Sequence, residues 1–182
     1  MVPGTNEKKL ARLTGKCLVT IDDVVNEKLD DVGLAIFTFN CQSLVKHVGD
    51  LECGPILQRC HVLVSTETWK KNEQVIDLPN FNCMNHSMRP FVSSGGVAIY
   101  QKSAESLTNH NPSMLIGKMK VEKLSSSRLH VGDICATACA LPDGRRLIIV
   151  AIYISPSNSV ASIIDFIKDV LLMYSENGGE AR

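Results

Sequence analysis

The first strongly apolar run of the chain, LAIFTF at 34–39, is short and β-prone, and it ends at polar Asn40. That pattern predicts a buried strand. The segment after it, SLVKHVGDLECGPILQ, repeats its apolar residues at mixed three- and four-residue intervals, which predicts a helix. HVLVSTETW at 61–69 is a second buried-type strand that also ends in polar residues. The stretch at 71–94, KNEQVIDLPNFNCMNHSMRPFVSS, carries prolines and asparagines and is expected to be loop. Gly95 and Gly96 then introduce VAIYQK, a strand with bunched apolar residues, and MLIGKMKVEKL at 114–124 alternates as a further strand.

After a serine-rich segment expected to turn, DICATACAL and RRLIIVAIYI flank Pro142-Asp143-Gly144. There proline presets a turn and glycine accepts positive φ, so the spacing predicts a hairpin. In VASIIDFIKDVLLMYS the apolar Ile163, Ile164, Phe166, Ile167, Val170, Leu171 and Tyr174 suit an amphipathic helix, which Gly178 and Gly179 can stop. The order strand, helix, several strands, helix implies a layered α/β (α+β) domain over 34–176. Residues 1–33 are polar apart from the insert CLVTIDDVV and read as an arm or leader, and 177–182 read as a tail.

Composition changes this picture little. With 182 residues, 45% of them hydrophobic, the chain can bury one sizeable core. Lys plus Arg and Asp plus Glu both number 19, so no overall charge marks a polyanion binder, and nucleic-acid contact has to be argued from a site. The seven cysteines form no CxxC pair and lie mostly in apolar segments, which predicts buried, reduced thiols and an intracellular compartment, nucleus or cytoplasm undistinguished. Cys135 and Cys139 share a strand face but stand roughly 13 Å apart there, too far for one zinc ion. No run has signal-peptide character or approaches the roughly 18 apolar residues of a membrane span, so no membrane association is expected.

Candidate chemistry sits at strand ends, where polar side chains of layered α/β domains converge. If the strands ending at Asn40 and Glu67 pair in parallel, an amide oxygen and a carboxylate come together, the hard donors that Mg²⁺ accepts while keeping several waters. The alternative is that Asn40 closes a turn and Glu67 caps the next segment. Tyr153 ends an apolar strand, as an active-site phenol or as a rim residue with a packed ring and a wet hydroxyl. Arg89 and Lys102 flank the GGVAIY strand as phosphate contacts or, the commoner case, as surface cations. Trp69 is expected in the core, with base stacking as the alternative. His47, His61, His86, His110 and His130 show no metal-ligand or triad spacing.

Four segments in order, TFNCQSL, VLVSTETW, SSGGVAIYQK and VAIYISPSNS, resemble the endonuclease/exonuclease/phosphatase (EEP, DNase I-like) family, in particular its non-LTR retrotransposon branch. The resemblance spans 34–174. It implies the N-terminal part of a four-layered DNase I-like α/β sandwich, with Asn40 and Glu67 helping to hold a catalytic Mg²⁺ (or Mn²⁺). It puts Tyr153 near the scissile phosphate of DNA, with Asn158 closing the turn after it; Arg89 joins the expected substrate contacts only by its place beside the GGVAIY strand. Ile154 and Ser155 replace the arginine and first proline of the family's commoner YRPPNS pattern, which removes a positive charge.

The family's GDFN-like motif, further aspartate and terminal aspartate-histidine pair have no counterpart here. The expectation is therefore a truncated, mobile-element-derived domain, inactive alone, whose sandwich lacks C-terminal strands. In intact relatives such a domain belongs to a longer polyprotein with reverse transcriptase. Exposed strand edges would then favour self-association, and the rival readings are a non-catalytic interaction module or a decayed fragment.

Overall fold

The computed structural model describes residues 10–12, 16–19, 34–52, 57, 60–69, 75–87, 94–103, 120–128, 131–140 and 144–176. The described elements are β1 (Leu10–Arg12), β2 (Lys16–Val19), β3 (Ala35–Asn40), α1 (Leu44–Glu52), β4 (Val62–Thr66) and β5 (Phe81–Ser87). They continue with β6 (Val97–Lys102), β7 (Lys120–Arg128), β8 (Gly132–Ala140), β9 (Arg146–Ile154) and α2 (Val160–Glu176). The strands form a six-stranded sheet in the order β2-β1-β3-β4-β6-β5 and a three-stranded sheet in the order β7-β8-β9.

Both faces of the larger sheet are covered. On one, Leu44, Val48 and Leu51 of α1 pack against Phe37, Leu63, Ala98 and Tyr100. On the other, Ile36, Val62, Val64, Val97 and Ile99 meet Cys135, Cys139, Ile149 and Ala151 of the smaller sheet. The smaller sheet's outer face is closed by Phe166 and Val170 of α2 against Ile134, Val150 and Ile152. The layers therefore run helix, sheet, sheet, helix, a mixed α/β arrangement. It explains why β4 and β6 are apolar on both faces and lack alternation: each is the middle of a three-layer contact. Each fully buried leucine or isoleucine contributes about 1.5–3 kcal/mol. Residues facing the open rim are the exceptions, since Thr38 and Asn40 share the face of Ile36 yet are exposed.

α2 starts at an N-cap, where Ser159 Oγ accepts the Ser162 backbone N–H at 3.2 Å. Its buried face is formed by Phe166, Ile167, Val170 and Tyr174, whereas Ile164 points outward at 46% exposure. Gly178 and Gly179 lie outside the described residues.

Three segments differ from the sequence-based expectation. Residues 81–87, expected as loop, form β5, which pairs antiparallel with β6 and carries a bulge between Cys83 and Asn85. Polar FNCMNHS has no apolar signature; it is a strand because β6 offers an edge and because Asn85 Nδ2 donates to Ala136 O across the sandwich at 2.7 Å. Ser125, Ser126 and Ser127, expected to turn, extend β7 and face Ala136, Cys135 and Ile134 of β8. Within 1–33, β1 and β2 form an antiparallel pair that joins the larger sheet through β1 and β3. The predicted β8–β9 hairpin is present, with Gly144 at φ 85°.

Candidate functional site

β3 and β4 pair in parallel with Asn40 opposite Thr66, so Asn40 and Glu67 leave neighbouring strands at the same end. The ladder does not stop there. Beyond the strands, Cys41 N donates to Thr66 O (3.0 Å), Ser43 N to Glu67 O (2.9 Å) and Leu44 N to Thr68 O (3.1 Å). On the other side, Thr68 N donates to Gly96 O (3.3 Å) and Trp69 N to Gly95 O (3.1 Å). Glu67-Thr68-Trp69 is thus held between two neighbours by its backbone.

That bracing sustains an unusual conformation. Gln42, Ser43, Glu67 and Trp69 all have positive φ, at 42°, 94°, 54° and 49°, and Gly95 and Gly96 lie at 85° and 84°. Non-glycine residues in this region cost energy and persist only where the surroundings over-determine them. Four of the five described non-glycine cases fall in the two loops that carry the candidate metal ligands.

The smaller sheet supplies the third side. Asp133 on β8 faces Tyr153 on β9 in the strand register. Asp133 is fully buried and its Oδ2 accepts the Gly96 N–H at 2.9 Å. A Cβ on Gly95 would stand 2.6 Å from Asp133 Oδ2 and 3.2 Å from the Tyr153 ring, so these two residues press directly on the diglycine turn. Glycine is required there both by φ and by space. Tyr153 is half-buried, with its ring against the inter-sheet core.

Asn40, Glu67, Gly95, Gly96, Asp133 and Tyr153 accordingly share one rim of the sandwich. Asn40 is exposed and Glu67 half-buried, and their oxygens are of the type that hard divalent cations accept. Among the described residues no cluster of three or more His, Cys, Asp or Glu side chains can hold a metal ion. Asn40 and Glu67 offer one amide and one carboxylate, donors that fit a water-rich Mg²⁺ without enclosing it.

Asn158 closes the turn after β9, its Nδ2 donating to Val131 O at 2.9 Å and Ser155 O at 2.8 Å. Arg89 lies outside the described residues. Lys102 is neither on the surface nor at the rim: it is at the far end of β6, 7% exposed, with Nζ donating to Leu57 O at 3.2 Å. Trp69 is half-buried with its Nε1 enclosed. His47 packs edge-on against Phe39. His61 is buried, and its Nδ1 accepts the Ala35 N–H at 2.7 Å. Burial, then the charge of Lys102, lowers the His61 pKa. His110 and His130 lie outside the described residues.

Cys41, Cys60, Cys135 and Cys139 are buried free thiols. Burial foremost pushes Cys41 and Cys60 up to about 12. Asp133 was not foreseen as part of the site; its signal was a lone carboxylate inside the otherwise apolar run of β8. No helix among the described residues is long and apolar enough to cross a membrane. Comparison with protein-family models, with curated proteins and with solved structures finds no match for this chain.

Proposed function

We propose that the chain descends from a metal-dependent DNA endonuclease of the EEP, DNase I-like family and carries the metal- and phosphate-holding part of that site. Asn40 and Glu67 are the ligands of a Mg²⁺ or Mn²⁺ ion, and Tyr153 directs its phenol to a DNA phosphate. The reading rests on one observation: parallel β3 and β4 end together where the diglycine turn meets Asp133 and Tyr153. The helix, sheet, sheet, helix order agrees with the four layers of a DNase I-like sandwich.

The bound cation would neutralise phosphate charge and polarise its oxygen. The chain's own contribution is positional. Backbone hydrogen bonds on both sides hold the Glu67-Thr68-Trp69 segment, and the Tyr153 ring lies where a side chain at position 95 would have to go. Among the described residues no group of three or more His, Cys, Asp or Glu side chains can hold a metal ion, so little hydrolysis is expected from this chain by itself, because cleavage needs a cation and an oriented nucleophile together.

Trp69, the sole tryptophan, sits two residues from Glu67 and serves as an antenna. Tb³⁺ luminescence excited through Trp69 is expected to appear on titration, to be displaced by excess Mg²⁺, and to be lost in Glu67→Ala. Luminescence unchanged in both Glu67→Ala and Asn40→Ala would sink the metal assignment. Plasmid nicking by wild type that Glu67→Ala abolishes would show that this rim suffices for catalysis.

A second reading, a strand-pairing interaction module, is favoured by β9. Among the described residues β9 pairs with β8 alone, leaving a nine-residue edge that runs apolar from Leu147 to Ile154. Such an edge accepts a further strand from a partner or a second copy. Concentration-dependent dimerisation in sedimentation equilibrium is its signature, and a strict monomer at all concentrations counts against self-pairing.

A further inference from the structure

On the α1 side of the larger sheet, Thr68, Ile76, Cys83, His86 and Tyr100 line a small cleft. Cys83 and His86 are three apart on β5, a spacing that puts side chains on opposite faces of a regular strand. The bulge between Cys83 and Asn85 shifts the register and returns both to one face, with Cys83 Sγ 3.9 Å from His86 Nδ1. Cys83 is half-buried, whereas Cys41, Cys60, Cys135 and Cys139 are buried. A partly accessible thiol beside an imidazole is the arrangement that generates a reactive thiolate.

We propose that Cys83 is a peroxide-reactive thiol served by His86, with the cleft admitting a small oxidant of the size of hydrogen peroxide. In the reaction the Sγ–H proton passes to His86 Nδ1 and the thiolate attacks one peroxide oxygen. The S–O bond forms as the O–O bond breaks; the departing hydroxide takes the imidazolium proton and leaves as water. Sulfur is oxidised to the sulfenic acid, peroxide is reduced, and His86 ends neutral. Tyr100 walls the cleft beside Cys83: burial foremost, then the neighbouring Cys83, pushes its phenol pKa upward. It therefore stays protonated beside the sulfur while bonding Ile76 O at 3.0 Å. The product would form in a cleft that Thr68 shares with the Glu67 loop, although the proposal does not depend on metal or DNA binding there.

The test is site-resolved mass spectrometry of the full chain after a brief pulse of hydrogen peroxide, with dimedone to trap sulfenic acid. Cys83 is expected to be labelled on the order of tenfold faster than Cys41, Cys60, Cys135 or Cys139. His86→Gln is expected to bring its rate down to theirs. Melting curves of wild type and His86→Gln keep the comparison among folded proteins, and His86→Asn substitutes if the glutamine variant melts early. Equal labelling of Cys83 and the four buried thiols, or a Cys83 rate unchanged in a folded His86 variant, overturns the proposal.

Discussion

Replacing Gly95 by alanine tests the packing that joins the two sheets at the candidate site. Two costs add. Gly95 sits at φ 85°, where an L-residue is worse than glycine by about 1–2 kcal/mol. Its new Cβ would lie 2.6 Å from Asp133 Oδ2, and that carboxylate is fully buried and holds the Gly96 N–H. Relief of the clash sacrifices this charge-assisted hydrogen bond, about 1.5–3 kcal/mol. The total of about 2.5–5 kcal/mol corresponds to a fall in Tm of about 5–20 °C for a chain of this size. Gly144→Ala is the matched control, since Gly144 has the same φ of 85° but nothing within 4 Å of its Cβ position; it should lose only the conformational part, about 2–8 °C. Thermal melts by circular dichroism read both variants. If they melt together, Asp133 does not hold the diglycine turn and the proposed convergence of the rim loses its main support.

Three further outcomes follow from the core. The lowered His61 pKa means that the fold favours the neutral ring, so stability is full above the ordinary value of 6.5 and declines as pH falls below it, when the unfolded chain takes up the proton first; melts between pH 7.5 and 5.5 should show the decline, and His61→Gln should flatten it. Phe166→Ala empties the buried contact of α2 with the smaller sheet and should cost about 3–5 kcal/mol in urea unfolding; a loss below about 1 kcal/mol would mean that α2 is not docked there. Ser65→Ala removes a hydroxyl that is fully buried without a hydrogen-bond partner among the described residues, and should raise stability by about 1 kcal/mol or more, whereas destabilisation would reveal a partner for that hydroxyl.

Pattern alone made the apolar strands readable. LAIFTF, HVLVST and VAIYQK announced β3, β4 and β6 because strands covered on both sides need continuous apolar residues, and a polar residue after such a run marks where cover ends. Asn40 and Glu67 were legible for that reason. The hairpin was legible because proline and glycine constrain the backbone locally, and α2 because its apolar spacing follows the helical period, although only packing against β8 and β9 decided that Ile164 faces away.

Tertiary structure decided what local chemistry does not encode. β5 is polar and exists because β6 presents an edge and the opposite sheet accepts Asn85; its bulge, invisible in FNCMNHS, is what brings Cys83 to His86. Asp133 stood out in the sequence only as a lone carboxylate in an apolar strand, and such a residue acquires its meaning only when another sheet carries Gly96 to it. Lys102 was expected on the surface and is buried, because the far end of β6 is roofed by Leu57. The residue types that can hold a cation or meet a phosphate are a property of the sequence. Their meeting on one rim follows from the parallel pairing of β3 with β4 and from the sheet-to-sheet contact of Gly95 and Gly96 with Asp133 and Tyr153, and such contacts are set by the folded chain as a whole.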